Sequence, residues 1–116
     1  MEDKNKKVCI VLCINKNIKS FEAIEEITYG IEEEGIPFTI IFKEKDDVKE
    51  LCEIAIKESQ LGVGIGVDSQ YLASLYQEKL PENYLLFTRN LLDSLKASRD
   101  LGVNAARLVK GAPFRS

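Results

Sequence analysis

Val8-Cys9-Ile10-Val11-Leu12-Cys13-Ile14 is an unbroken apolar run near the start of the chain. It lacks the polar alternation of a half-buried strand, so it reads as a central strand of a parallel sheet whose two faces are both covered by helices. Too short to cross a bilayer, it also has the wrong flanks for a signal peptide. Working outward, Ser20 can cap a helix in which Phe21, Ile24, Ile27 and Ile31 recur at helical spacing, and Gly35 with Pro37 stops it. Residues 38–42 form a second strand. Asp46 or Asp47 caps the next helix, which buries Val48, Leu51, Cys52, Ala55 and Ile56 and has Ser59 near its end. Residues 61–67 form a third strand. Strands alternating with helices in this way predict a three-layer α/β sandwich around a mostly parallel sheet.

The later part of the chain is less regular. Residues 71–76 fit a short helix and an edge strand equally badly, whereas the aromatic and aliphatic residues 84–88 read as a strand. Residues 91–110 carry Leu91, Leu95, Ser98, Gly102, Ala105 and Val109 along one helical stripe, closed by Gly111 and Pro113. The small residues of that stripe allow close approach to the sheet. Gly62, Gly64 and Gly66 alternate with Val63, Ile65 and Val67, which places the glycines on one strand face, with the stripe around Gly102 and Ala105 as the candidate to pack there.

At 116 residues, with 45% hydrophobic and 30% charged residues, the expectation is one globular domain over residues 1–116, with residues 1–7 as a flexible tail. A net charge of −3 argues against a nucleic-acid surface, and nothing suggests a membrane partner, so a cytoplasmic protein is expected. The chain has three cysteines and no histidine, which removes Ser-His-Asp triads, Cys-His pairs and the usual zinc sites. Cys9 and Cys13 stand about 13 Å apart along one strand, too far for a disulfide. Asp68 lies just past a strand's carboxyl end, where open α/β sheets bind ligands, but it has no basic or nucleophilic companion and can equally cap the segment after it.

Gly30-Ile31-Glu32-Glu33-Glu34-Gly35-Ile36-Pro37-Phe38 is the most informative stretch. Three consecutive carboxylates end a helix, where the partial negative charge makes each unfavourable by a few tenths to about 1 kcal/mol, and no neighbouring base in the sequence offsets them. Ile31 belongs to the core stripe, so Glu33, about 200° round the helix, faces outward together with Glu26. Gly30, one turn before Glu33, is expected on the same outer surface with its backbone open to close approach. Glu26, Gly30, Glu32 and Glu33 are therefore the candidate partner interface, the alternative being a solvated, charged helix end. Arg107 and Lys110, near the other end of the chain, complement the dipole of the last helix.

Three segments together carry a resemblance: Gly30 through Phe38, Val63-Gly64-Ile65-Gly66 followed by Asp68, and Asn104-Ala105-Ala106-Arg107-Leu108-Val109-Lys110-Gly111-Ala112-Pro113-Phe114-Arg115. In order and spacing they resemble the small (β) subunit of diol and glycerol dehydratase reactivating factors. The resemblance departs at Val67, where relatives commonly carry cysteine, and at residues 88–90, where they carry histidines. It implies an anticodon-binding-domain-like fold whose five-stranded mixed sheet has one antiparallel strand, which turns residues 71–76 into a strand. It further implies a non-catalytic subunit that binds no cofactor by itself and pairs with a large (α) subunit, an actin-like ATPase holding magnesium and ATP or ADP, as α2β2. Such complexes release damaged cobalamin from adenosylcobalamin-dependent dehydratases, the small subunit exchanging places with the dehydratase's own medium (β) subunit. The middle glutamate of the run, Glu33 here, would reach the large subunit's magnesium in trans. Two other classes stay open: a medium-subunit-like structural component of a dehydratase, and a small-molecule-binding domain or enzyme built around Asp68.

Overall fold

The structure is a computed structural model that describes residues 8–80 and 87–115. Its element order is β1 (Ile10–Asn15), α1 (Glu22–Glu33), β2 (Phe38–Lys43), α2 (Val48–Glu58), β3 (Val63–Val67), β4 (Leu72–Gln77), β5 (Phe87–Asn90) and α3 (Leu95–Lys110). The five strands form one sheet in the order β2-β1-β3-β4-β5. β1 pairs in parallel with β2 and β3, while β4 runs antiparallel to both β3 and β5. The sheet is thus mixed with one antiparallel strand, and residues 71–76 are mostly strand. Of the strand predicted at 84–88, residues 87 and 88 are the start of β5, and residues 84–86 lie outside the described residues, as does the tail at residues 1–7.

Chain order decides which face each helix covers. The chain leaves β1 towards β2 through α1, then returns past β1 to β3 through α2. Parallel crossovers keep one hand, so two crossovers in opposite directions must place their helices on opposite faces. Every residue of β1 is consequently buried, and its side chains divide by parity. Ile10, Leu12 and Ile14 meet Ile24, Ile27 and Ile31 of α1 and Leu101, Ala105 and Ala106 of α3, whereas Cys9, Val11 and Cys13 meet Leu51 and Ala55 of α2.

The local signals hold with adjustments. Asp47 caps α2 by accepting from Lys49 N–H (3.0 Å), and Asp46 instead accepts from the backbone N–H and hydroxyl of Ser69 (2.7 and 2.6 Å). Ser20 does not cap α1: the cap position is Phe21, and the Ser20 hydroxyl only reaches Glu22 N–H at 3.4 Å. α3 starts at Leu95, so Leu91 is buried ahead of the helix and Leu95 is exposed. The glycines of β3 also find a different neighbour from the one expected. Gly62 precedes the strand, while Gly64 and Gly66 face α2, where an added Cβ would stand 2.9 Å from Ile56 N and 2.7 Å from Cys52 N. α2 therefore lies directly on that strand, and Gly102 of α3 serves another contact.

That contact is with α1. An added Cβ on Gly30 would overlap Arg99 O and lie 2.8 Å from Val103 N, and one on Gly102 would overlap Ile27 O and lie 2.9 Å from Ile27 C. Gly30 is therefore buried beneath α3 and not open on the outer surface, which corrects its expected place in an interface. Ile31 and Gly30 share the inward side because two packed neighbours, the sheet and α3, widen the buried arc of α1. On an exposed helix, Gly→Ala stabilises by about 1 kcal/mol; here the sign reverses, because backbone cannot give way to a methyl. Gly102→Ala is expected to destabilise the chain by about 1–3 kcal/mol, read from urea unfolding. A stabilised variant would refute the backbone contact.

Candidate functional site

α1 and α3 run side by side in the same direction, with Glu26 beside Arg99, Gly30 beside Gly102, and Glu34 beside Arg107 and Lys110. Their carboxyl ends, both partly negative, therefore lie together, and the three glutamates that end α1 add to that charge. The missing bases come from α3 and the segment after it. Lys110 Nζ donates to the Glu34 carboxylate (2.8 Å) and to the Glu34 backbone carbonyl (3.1 Å), and Arg107 Nη2 reaches the same carboxylate at 3.4 Å. Arg107 and Lys110 thus serve a second helix besides their own.

Glu33 is held by two guanidinium groups. Arg115 Nη2 donates to Oε2 at 2.8 Å, and Arg99 Nη1 reaches Oε1 at 3.4 Å. Arg99 also donates from Nε to Glu26 Oε1 (3.2 Å) and lies over the Tyr29 ring, 5.6 Å from its centroid. Arg115 in turn reaches Asp100 at 3.2 Å, and its backbone is fastened by Asn104, whose Oδ1 accepts from Arg115 N–H (2.6 Å) and whose Nδ2 donates to Arg115 O (3.1 Å). The expectation that no base offsets the glutamate run is thereby corrected. Glu33 does face outward, with 38% of its side chain exposed, but its charge is paired within the chain. Glu26 is half-buried, and Glu32 is exposed with a carboxylate that has no hydrogen-bond or ion-pair partner among the described residues. Of the four candidate interface residues, the structure leaves Glu32 and Glu33 at the surface, tucks Glu26 under Arg99 and closes off Gly30.

The other features singled out in the sequence have local explanations. Asp68 Oδ1 accepts from Gln70 N–H and Leu72 N–H, both at 2.9 Å, so it caps the turn into β4. Beside it Tyr71 stands at φ +67°, tied down through its hydroxyl, which accepts from Ser20 N–H at 2.7 Å. The three cysteines are buried and free. Burial pushes the thiol of Cys13 up to about 11 and that of Cys52 up to about 12, which leaves almost no thiolate at neutral pH. Among the described residues no three His, Cys, Asp or Glu side chains could hold a metal ion by themselves, and no helix is long and apolar enough to cross a membrane.

Hydrogen bonding to Arg115, and then to Arg99, holds the Glu33 carboxyl below its ordinary 4.5, and hydrogen bonds from Lys110 and Arg107 do the same for Glu34. A carboxylate whose folded pKa is depressed adds stability above the unfolded value, and this is lost as pH falls through the folded one. The network's contribution should therefore be complete above about pH 5 and fade below 4.5. Thermal unfolding from pH 6 to 3 should show Glu34→Gln less stable than the parent at pH 6, the gap closing with acid. A gap that is unchanged at pH 3 would show that these pairs do not act through charge.

The model of the dehydratase medium subunit family matches residues 8–115. The propanediol dehydratase-reactivating factor small subunit of Citrobacter freundii is 44% identical over 90 residues, covering 78% of this chain and 77% of that relative. The diol dehydratase-reactivating factor small subunit of Klebsiella michiganensis is 43% identical, covering 78% and 71%. Among solved structures, a glycerol dehydratase reactivase superposes with a TM-score of 0.89 at 32% identity, over 95% of this chain and 98% of that one. A diol dehydratase-reactivating factor complexed with ADP and Mg2+ gives 0.81 at 35% identity, over 94% and 97%. The chain belongs to the dehydratase medium subunit family, and within it to the small subunits of dehydratase-reactivating factors.

Proposed function

We propose that this chain is the non-catalytic small subunit of a chaperone-like reactivating factor for an adenosylcobalamin-dependent diol or glycerol dehydratase. The observation that carries the proposal is likeness to reactivating-factor subunits, in sequence over 78% of the chain and in fold over 95% of it. The chain pairs with a large ATPase subunit, as α2β2, in the cytoplasm. By exchanging places with the dehydratase's medium subunit it brings the large subunit against the enzyme and loosens it, so that damaged cobalamin leaves. The alternative, a structural component of a dehydratase, is separated by co-purification. A partner with ATPase activity is expected, and one with dehydratase activity alone would favour the alternative.

Within that function Glu33 supplies one ligand, in trans, to a magnesium ion held by the large subunit near its nucleotide. Magnesium demands a near-octahedral oxygen set at about 2.0–2.1 Å, so one glutamate cannot hold it, and the remaining ligands must come from the partner, its nucleotide and water. Glu33 is suited to that single place. It is exposed, it is ionised at neutral pH as any carboxyl at or below its ordinary 4.5 is, and Arg99 engages its Oε1 only loosely, at 3.4 Å. A reading in which Glu33 only ties α1 to the end of the chain is favoured by its 2.8 Å pair with Arg115. Glu33→Gln separates the two. With a role in trans, the variant loses the magnesium-dependent part of its affinity for the large subunit, by about tenfold or more, in titrations with and without the ion. With a tether alone, unfolding shifts and the magnesium response stays.

A further inference from the structure

Residues 111–115 fold back along α3 as a strap that reaches Asn104 and Asp100 of α3 and Glu33 of α1. Gly111 turns the chain out of α3 at φ +70°, and Ala112 N–H donates to Arg107 O at 2.9 Å. Beyond that turn the strap is held by polar contacts and by one exposed ring, Phe114, edge-on to Phe87 at 5.1 Å between centroids. No strap residue is buried. Its two kinds of anchor differ in permanence. The backbone of Arg115 is bonded twice to Asn104, which is only 4% exposed, so water competes poorly there. The guanidinium of Arg115 spans two carboxylates at the surface, Glu33 at 2.8 Å and the less exposed Asp100 at 3.2 Å.

We propose that this strap is a displaceable cover on Glu33, in which Arg115 occupies the carboxylate until a partner's cation replaces it. The inference rests on the reading of Glu33 as a ligand in trans and adds what that ligand must first give up. Glu33 already carries two guanidinium groups, so a dication arriving beside them meets repulsion from both. Arg99 has Glu26 as a second carboxylate and Arg115 has Asp100, so either can leave Glu33 without stranding an unpaired charge. Arg115 makes the shorter contact with Glu33, and its side chain alone has to move, because Asn104 keeps the backbone in place. Exposed ion pairs are weak enough to be exchanged in this way. In the free chain Glu33 is thereby kept paired, and docking trades an internal cation for one supplied by the partner.

The test is the affinity of the full chain for its large subunit, with and without magnesium, for the parent, Arg115→Ala, Arg115→Lys, Glu33→Gln and the Glu33→Gln/Arg115→Ala double variant. Arg115→Ala should bind about two- to five-fold tighter in magnesium, the span an exposed ion pair allows. Arg115→Lys should fall between it and the parent. The gain should vanish without magnesium and in the Glu33→Gln background. If Glu33→Gln removes the magnesium response while Arg115→Ala and Arg115→Lys bind like the parent or more weakly, the strap is not a competitor and the proposal is overturned. If Glu33→Gln leaves the magnesium response intact, the reading of Glu33 falls and the strap's role with it. Melting temperatures of the same variants identify any loss of binding that is due to unfolding.

Discussion

Between α1 and α3 there is no room for a side chain at Gly30 or at Gly102, and the polar surface above them depends on that backbone contact. Helices packed through ordinary side chains keep their axes about 8–10 Å apart. With glycine on both sides of the crossing, the approach is limited by main-chain atoms. The charged residues that flank the crossing are then brought within reach of one another along both helices: Glu26 with Arg99 on one side of it, and Glu34 with Arg107 and Lys110 on the other. A methyl group at either glycine would push apart every one of these pairs as well as the apolar surfaces beneath.

Stability and surface chemistry are carried by different layers of the molecule. The sheet-facing sides of the helices bury Ile24, Ile27, Ile31, Leu51 and their partners in β1, each worth about 1.5–3 kcal/mol on full burial. The ion pairs above lie at the surface, where screening and side-chain entropy reduce them to little. A glutamate run at a helix end is thus tolerated in a fold whose core does not rely on it. It also leaves the pairs around Glu33 free to be exchanged, whereas the equally polar Asn104, nearly buried, acts as a fixed anchor for the chain end.

Much of the fold was legible because it is written in short-range patterns. β1 announced itself by an apolar run, α1 and α2 by helical spacing, the end of α1 by Gly35 and Pro37, and α3 by its stripe closed with Gly111. The strand status of residues 71–76 came from the family resemblance, since the segment's own pattern was ambiguous. The site was legible only in part. Glu33 stood out for its unfavourable position, but Arg99, Asp100 and Arg115 did not. Arg99 and Arg115 lie 66 and 82 residues from Glu33, and no local pattern signals a pair so far apart in the chain. A surplus of bases late in α3 facing a surplus of acids late in α1 was the available signal, and it was absorbed by the dipole of α3 alone.

Gly30 shows where local patterns stop. From periodicity, a residue off the apolar stripe of α1 points to water, and that would be true if the helix packed against the sheet only. α3 arrives as a second neighbour on the flank of α1, and Gly30 becomes buried. The same arrival places positive charge beside Glu33 and Glu34. The sequence by itself determined most of the elements, their order, the two-sided cover of β1 and the family, because these depend on side-chain periodicity and motif spacing along the chain. Only the tertiary structure decided which glycine meets which helix and which cation holds which carboxylate, because those contacts arise from how two helices far apart in sequence are laid across one face of the sheet.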